Sequence, residues 1–429
     1  MLNAQAPFWH WQKEKQATAY LLALSGGRDS MALLHALVAQ REQLCAPLMA
    51  CYVDHGWSSA SEEWGNFCQQ VAAAYAVPCE IVRLDWPTAY RDSPEALART
   101  LRYQALAQHL PVGGVLLTAH HHDDQAETLL LQLLRGSGLD GLAAMPARRH
   151  FAQGEHWRPL LYTSRAAINA YVAAQGIAYL DDPSNLDNRY LRNKLRHSVL
   201  PVLTDTFPQA ITAIARSADW LAEALTLQQA LLDGLLGSPL PVLPWQQLQM
   251  THGITTAKAL LRRWLQRAGQ LPPPAARLQA FVIALMRPHN HAELCYANTV
   301  VVRHKDMLHL YQASIPDSAP SFSENTEWAG IGSLTLRAGH DLLAGKTCRW
   351  ALYPCAAHWH ASGQRYPTSL KNFLQNHDVP PYLRRRLPLL MVDDVCVWLG
   401  GFGAAAGWEA LVLDWQKQAH SVSIPHHFL

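Results

Sequence analysis

Residues 17–24 read ATAYLLAL. They run directly into Ser25-Gly26-Gly27-Arg28-Asp29-Ser30, after which apolar residues return at helical spacing through Leu44. This is a short buried strand, a glycine loop and a helix. Two glycines let the backbone come close to a ligand, and the helix that follows aims its free amides at an anion. Ser25 and Ser30 add hydroxyl donors. A Walker loop is excluded, because no lysine precedes the final serine, and the Gly-x-Gly-x-x-Gly pattern is absent. Working outward, Leu48–Val53 and Cys79–Leu84 read as strands, with a helix over Ser59–Ala76 between them. Ser93-Pro94-Glu95 opens another helix, with a capping serine, a proline at its first position and an acid in its first turn. Gly114–Ala119 is a fourth strand, and a helix follows over Asp123–Arg135. Strands alternating with helices predict an α/β fold, a doubly wound and mostly parallel sheet covered on both faces. Ligands in such sheets bind beyond the carboxyl ends of the strands. Asp54 and His55 end the second strand there, and are candidate nucleotide contacts. An Asp turn closed by Gly56 is the bland alternative.

The 429 residues exceed one ordinary core. The pattern changes after Pro201: 207–236 and 256–286 look helical, 313–327 reads as a polar linker, and 331–336, 388–399 and 410–415 are β-like, with a helix near Thr368–Asn376. The expected division is a catalytic domain over 1–212, a mainly helical domain over 213–325, and a small α+β domain over 326–429. No stretch reaches the roughly 18 apolar residues that span a bilayer, and the first residues do not read as a signal peptide. None of the eight cysteines forms a Cys-x-x-Cys pair. They read as reduced thiols, many of them buried, in a cytoplasmic protein, which excludes a zinc ribbon and a redox pair. The net charge of +2 does not by itself point to nucleic acid.

The second chemical cluster is Thr118-Ala119-His120-His121-His122-Asp123-Asp124-Gln125-Ala126-Glu127-Thr128. Asp124 and Glu127 share a helical face, with Thr128 one turn above Asp124. A capped, solvated helix start accounts for two acids near a positive dipole end. Paired carboxylates near a phosphate loop also suit Mg²⁺ or a cationic second substrate. Three histidines and two acids are credible metal ligands, but consecutive histidines fan out and rarely converge on one ion.

SGGRDS matches the PP-loop of the ATP pyrophosphatase superfamily, which cleaves ATP to AMP and pyrophosphate. TAHHxDDQAET, with His122 at the variable position, closely resembles the tRNA(Ile)-lysidine synthetase family. So do Glu95-Ala96-Leu97-Ala98-Arg99 with Arg102-Tyr103, the loop 134–142, the run Arg158-Pro159-Leu160-Leu161, and Asp182-Pro183-Ser184-Asn185 followed by Arg192-Asn193-x-x-Arg196. The resemblance implies a ligase that joins free L-lysine to C2 of the wobble cytidine of a CAU anticodon on tRNA(Ile), through an adenylated intermediate. It implies that Ser25, Gly26, Gly27, Arg28 and Ser30 bind ATP, that Asp29 holds Mg²⁺, that Asp124 and Glu127 bind lysine, and that His120 lies by the reacting base. Arg99 or Arg102 would meet the lysine carboxylate or a phosphate. Arg189, Arg192 and Arg196 can share one face suited to phosphate, with Asn193 beside them. A homodimer is left open, and no membrane is expected. Two rivals remain: a PP-loop tRNA thiolase, which normally needs catalytic cysteines, and a tRNA-binding protein with a silent loop. A third, an amidotransferase ligase, would need an ammonia-generating domain, and no N-terminal cysteine follows Met1.

The resemblance returns at Ser369-Leu370-Lys371, Val379-Pro380-Pro381 and Leu383-Arg384, in the manner of a C-terminal tRNA-binding domain. Ser369 stands where the family usually has lysine. Residues 340–390 hold seven Lys/Arg (346, 349, 365, 371, 384, 385, 386) and two acids (341, 378), a balance of +5. Such a patch suits a polyanion. Lys371, Arg384 and Arg385 are the candidate contacts.

Overall fold

A strand covered by helices on both faces must be apolar on both sides, and the first strand is built that way. Helix α1 (Pro7–Glu14) precedes β1 (Tyr20–Ala23). Tyr20 and Leu22 enter one core, while Leu21 and Ala23 enter another. The chain continues through α2 (Arg28–Val38), β2 (Leu48–Asp54), α3 (Ser61–Ala74), β3 (Cys79–Arg83), α4 (Pro94–His109), β4 (Val115–Leu117) and α5 (His122–Leu134). It then forms α6 (Leu139–Leu142), a hairpin of β5 (Arg148–Phe151) and β6 (Gly154–Trp157), α7 (Arg165–Gln175), α8 (Leu191–Lys194), α9 (Leu200–Thr206) and α10 (Ala210–Leu236). This computed structural model describes residues 7–56, 61–87, 94–181, 191–238, 240, 242–287, 292–312, 318–329, 331–353 and 357–417. Ser93, Asp182–Asn185, Arg189 and Cys355, all used in reading the sequence, lie outside them.

The sheet order is β3-β2-β1-β4-β6-β5. β2 and β4 flank β1 in parallel, β3 and β6 extend the sheet in parallel, and only β5 runs antiparallel. Met31, Leu34 and Leu37 of α2, with Cys68 of α3 and Ile168 of α7, cover one face. Ala105 and Leu106 of α4 cover the other. Each fully buried leucine contributes about 1.5–3 kcal/mol to holding these layers. The expected doubly wound sheet is therefore present. Strand order reverses between β1 and β4, so a crevice opens at their carboxyl ends. The SGGRDS loop leaves β1, and the histidine run leaves β4.

The edge hairpin was not anticipated from the sequence. Arg148–Phe151 is mostly exposed and lacks an apolar alternation. Its close approach to the segment before β4 depends on Gly154, where an added Cβ would collide with the Gly114 carbonyl oxygen. Gly154→Val is accordingly expected to lower the urea unfolding midpoint, at a cost of roughly 1–3 kcal/mol. An unchanged midpoint would mean that the hairpin does not lie against Gly114 in this register.

The chain forms two compact units, 1–228 and 229–429, with the division inside α10. The second unit opens with β7 (Val242–Leu243), α11 (Trp245–Arg267) and α12 (Ala275–Leu285). An antiparallel run of β8 (Glu293–Tyr296), β9 (Thr299–His304) and β10 (Met307–Gln312) follows. The helices match the expected helical stretch, and the strands over 293–312 are an addition that the sequence reading did not include. Val301 packs towards α11 and α12, whereas Val300 and Val302 enter a core shared with later elements. Of the expected linker, 313–317 lies outside the described residues, and its end is β11 (Asn325–Trp328), paired with β12 (Gly332–Ala338). The remainder includes β13 (Cys348–Leu352), β14 (His358–Trp359), β15 (Thr368–Ser369), α13 (Leu370–Asn376), α14 (Pro381–Arg384), β16 (Pro388–Val392), β17 (Val395–Leu399), β18 (Gly403–Ala404) and β19 (Val412–Lys417).

Candidate active site

The loop after β1 needs its glycines. Gly26 has φ of +76°, in the left-handed region that favours glycine, and an added Cβ there would come within 3.1 Å of Cys68 Sγ. Ser25 and Ser30 close the loop on itself. Their hydroxyls lie 3.1 Å apart, Ser25 N donates to Ser30 Oγ at 3.2 Å, and Ser30 Oγ donates to the Gly27 carbonyl at 2.9 Å. Asp29 sits in the first turn of α2, and its Oδ1 is buried without a hydrogen-bond partner.

The loop forms one wall of a cavity of about 250 Å³ at the switch point. Ser25, Gly27, Arg28, Asp29, Ser30, Arg102, His120, Asp124 and Arg196 all line it, with Thr118, Arg165 and Asp181 among their neighbours. Asp54 and His55 are not among the lining residues. Asp54 Oδ1 instead accepts from Gly56 N at 2.7 Å, which is the Asp turn, and the His55 carbonyl accepts from Trp86 Nε1. Arg28 lines the wall but is tied down, donating to Asn169 Oδ1 and Tyr179 OH at 3.0 Å each. Arg102 reaches the cavity. Arg99, not among the lining residues, lies 5.2 Å from the Tyr103 ring centroid.

The histidines do fan out. His120 faces the cavity. His121 is buried between Asp29 Oδ2 (3.6 Å) and Asp124 Oδ2 (3.5 Å). Burial opposes its charge, but the adjacent carboxylates of Asp29, Asp124 and Asp123 raise its pKa. His122 N donates to the Thr163 carbonyl. The acid doublet splits in the same way. Asp123 accepts from Arg165 N and so holds the start of α7, whereas Asp124 turns inward. Gln125 clamps Met145 through both its backbone N and its carbonyl.

Asp124 and Glu127 share a face as expected, and that face is covered by two arginines. Arg192 Nε donates to Glu127 Oε2 at 2.7 Å, and Arg196 Nε to Glu127 Oε1 at 2.6 Å. Both Nη2 groups reach Asp124 Oδ1 at 3.1 Å. Glu127 is 1% exposed. Burial opposes the Asp124 charge, but His121 and then Arg192 hold its carboxyl well below the usual range. Sequence spacing alone had these arginines available on an open face.

The thiols are inert here. Burial pushes Cys51 and Cys68 up to about 12. Cys68 is the cysteine beside Gly26, so a nucleophilic thiolate at the loop has no support. Among the described residues no three His, Cys, Asp or Glu side chains form a metal cage, and no helix is long and apolar enough to cross a membrane.

In the second unit, Ser369 caps α13, its Oγ accepting from Asn372 N. Lys371 and Arg385 are exposed. Arg384 Nε is bound to the Val379 carbonyl. Arg386, counted in the basic patch, is only 5% exposed and lies over the Tyr311 ring, which itself stacks on Tyr382 at 5.0 Å. It packs as part of the core and does not belong to an open surface.

Comparison with known proteins gives matches along the chain. The PP-loop domain family matches residues 2–203, the TilS substrate binding domain 253–309, and the TilS substrate C-terminal domain 348–418. A tRNA(Ile)-lysidine synthase of Xanthomonas axonopodis pv. citri is 38% identical over 93% of this chain and 94% of its own length. Another from Methylococcus capsulatus is 35% identical over 90% and 91%, and one from Alkalilimnicola ehrlichii 34% identical over 92% of each.

Proposed function

The chain belongs to the tRNA(Ile)-lysidine synthase family, and on that premise we propose how its own residues divide the work. The enzyme ligates free L-lysine to C2 of the wobble cytidine in the CAU anticodon of tRNA(Ile), using ATP and releasing AMP and pyrophosphate. The cytidine O2 attacks the α-phosphorus and displaces pyrophosphate. The lysine side-chain amine then attacks C2, loses a proton, and AMP departs. A carbonyl oxygen is a poor leaving group until it is phosphorylated, which is why the two steps share one site. The observation that carries the division is the common cavity, which the SGGRDS loop, His120, Asp124 and Arg196 all line.

Ser25, Gly26, Gly27 and Ser30 cradle phosphate at the start of α2. Arg28 stiffens that cradle through Asn169 and Tyr179. The orphan Oδ1 of Asp29 fits Mg²⁺, which needs only one or two carboxylates when substrate phosphates and water complete its shell. Such an ion, when bound, offsets phosphate charge. Asp54 and His55, outside the cavity lining, are kept as nucleotide contacts on their position at the end of β2 alone. Asp124 and Glu127 receive the cationic ends of lysine, and Arg102 its carboxylate. Arg192 and Arg196, beside Asn193, pass from these carboxylates to tRNA phosphate when the substrate docks. Reduced thiols, ATP and free lysine together fit a cytoplasmic setting. The division into 1–212, 213–325 and 326–429 is kept as the functional one, with the last part docking tRNA.

Product analysis tests the reading. Unmodified tRNA, ATP and each free amino acid in turn should give a lysine-dependent mass gain on one cytidine, with AMP and pyrophosphate formed. ADP as the main product would overturn it. The docking role is tested with Arg384→Ala/Arg385→Ala, which spares the buried Arg386. Each lost phosphate contact should flatten the log–log salt dependence of tRNA binding by roughly 0.7–0.9. An unchanged slope in the folded variant would retire the dock.

A further inference from the structure

His120 holds its place through Thr118 of its own motif and, beyond it, through His156, which no recognised motif includes. Its Nδ1 lies 2.7 Å from Thr118 Oγ1, and the same hydroxyl lies 2.8 Å from Nε2 of His156. His156 comes from β6, the parallel strand of the edge hairpin, and is fully buried. Its Nδ1 faces two guanidiniums, Arg149 Nε and Arg158 Nη2, each at 3.4 Å.

These contacts allow one proton arrangement. A guanidinium has only donors, so Nδ1 of His156 must be bare and accepting, and its proton must sit on Nε2. Nε2–H then donates to Thr118 Oγ1. Accepting from both imidazoles would leave the buried Thr118 hydroxyl proton with no acceptor among the described residues, so that proton goes to Nδ1 of His120 and the His120 proton sits on Nε2. Among the described residues that nitrogen has no hydrogen-bond partner, and His120 lines the cavity. We infer that His156 and Thr118 are positioning residues that lock His120 as a neutral imidazole with its Nε2–H offered to the substrate. It follows that His120 serves as a fixed hydrogen-bond donor and does not act as a base.

The electrostatics agree. Burial, and then the arginines around it, depress His120 well below the ordinary histidine value, with Asp124 opposing. The charged groups facing it are Asp124, Arg158, Arg192 and Arg99. His156 is depressed as well, by burial first and Arg158 next. A neutral imidazole used as an electrophile has precedent in enzyme chemistry. This inference rests on the proposed reaction, in which negative charge builds on α-phosphate oxygens in the first step and on departing AMP in the second. A donor fixed before reaction stabilises that charge without reorganising.

Nitrogen NMR of ¹⁵N-histidine-labelled free enzyme tests the lock directly, with the His120 signal assigned by its loss in His120→Asn. Wild type should show the Nε2–H tautomer unchanged between pH 6 and 8. Thr118→Val and His156→Leu should convert it to a tautomer mixture, and Thr118→Ser should restore it. A proton on Nδ1 in wild type, or no response to Thr118→Val, would overturn the inference. The same variants should lower kcat for pyrophosphate release by about 10–100-fold, as outer-shell changes do, with KM for tRNA unchanged and Thr118→Ser near wild type. Equal losses in Thr118→Ser and Thr118→Val would also overturn it. A wild-type enzyme that made no AMP at all would overturn the reaction assigned above, while the tautomer could still be read.

Discussion

Replacing Asp29 with alanine is expected to abolish pyrophosphate release, by roughly 100–1000-fold or more, in a protein that still folds. The side chain is half-buried in the first turn of α2, where one oxygen has no hydrogen-bond partner and the other only approaches His121 at 3.6 Å. Little in the fold depends on it, so a large loss of activity would belong to the phosphate chemistry. Circular dichroism melting reports the fold, and a pyrophosphate assay with saturating tRNA and ATP reports the chemistry. Near-normal release at ordinary Mg²⁺ would remove Asp29 from the metal role.

The second large effect is on Glu127. Its alanine variant leaves two arginine side chains, both mostly buried, facing Asp124 alone. Breaking a buried ion pair from one side typically costs about 3–5 kcal/mol, which a shift in the thermal or urea midpoint would read. Glu127→Gln keeps the shape and two lone pairs while removing the charge, and should be milder. In that variant the lysine KM should rise while pyrophosphate release survives. If release fails first and the lysine dependence is unmoved, the carboxylates serve the other substrate. A stability equal to wild type in Glu127→Ala would mean that Arg192 and Arg196 find other partners easily.

The sheet and the phosphate loop were legible because they depend on local signals. Apolar runs of strand length, a double glycine and helical spacing all lie within a few residues of one another. What remained hidden depends on contacts distant in sequence. The doublet Asp123-Asp124 gives no hint that one acid holds the start of α7 while the other meets two arginines. Arg384, Arg385 and Arg386 look equivalent, yet the last is buried over Tyr311. His156 lies 38 residues from Thr118, in a polar hairpin without strand alternation, so nothing local marked it. The strands over 293–312 were not legible because they are short and joined by tight turns, so no long alternation marks them.

If Asp124 and Glu127 bind lysine as proposed, their pairing with Arg192 and Arg196 makes the free enzyme its own competitor for that substrate. Under the assignment above, an incoming ammonium group must exchange with a guanidinium already in place. The net lysine affinity would then include the free energy of ejecting an internal cation. Any polyanion that draws those arginines away relieves that cost, so tRNA and lysine are thermodynamically linked through one exchange. Linkage is reciprocal: whatever factor tRNA adds to lysine affinity, lysine adds to tRNA affinity. Amino acid and nucleic acid then recruit each other, and a lone encounter with either is the weaker event.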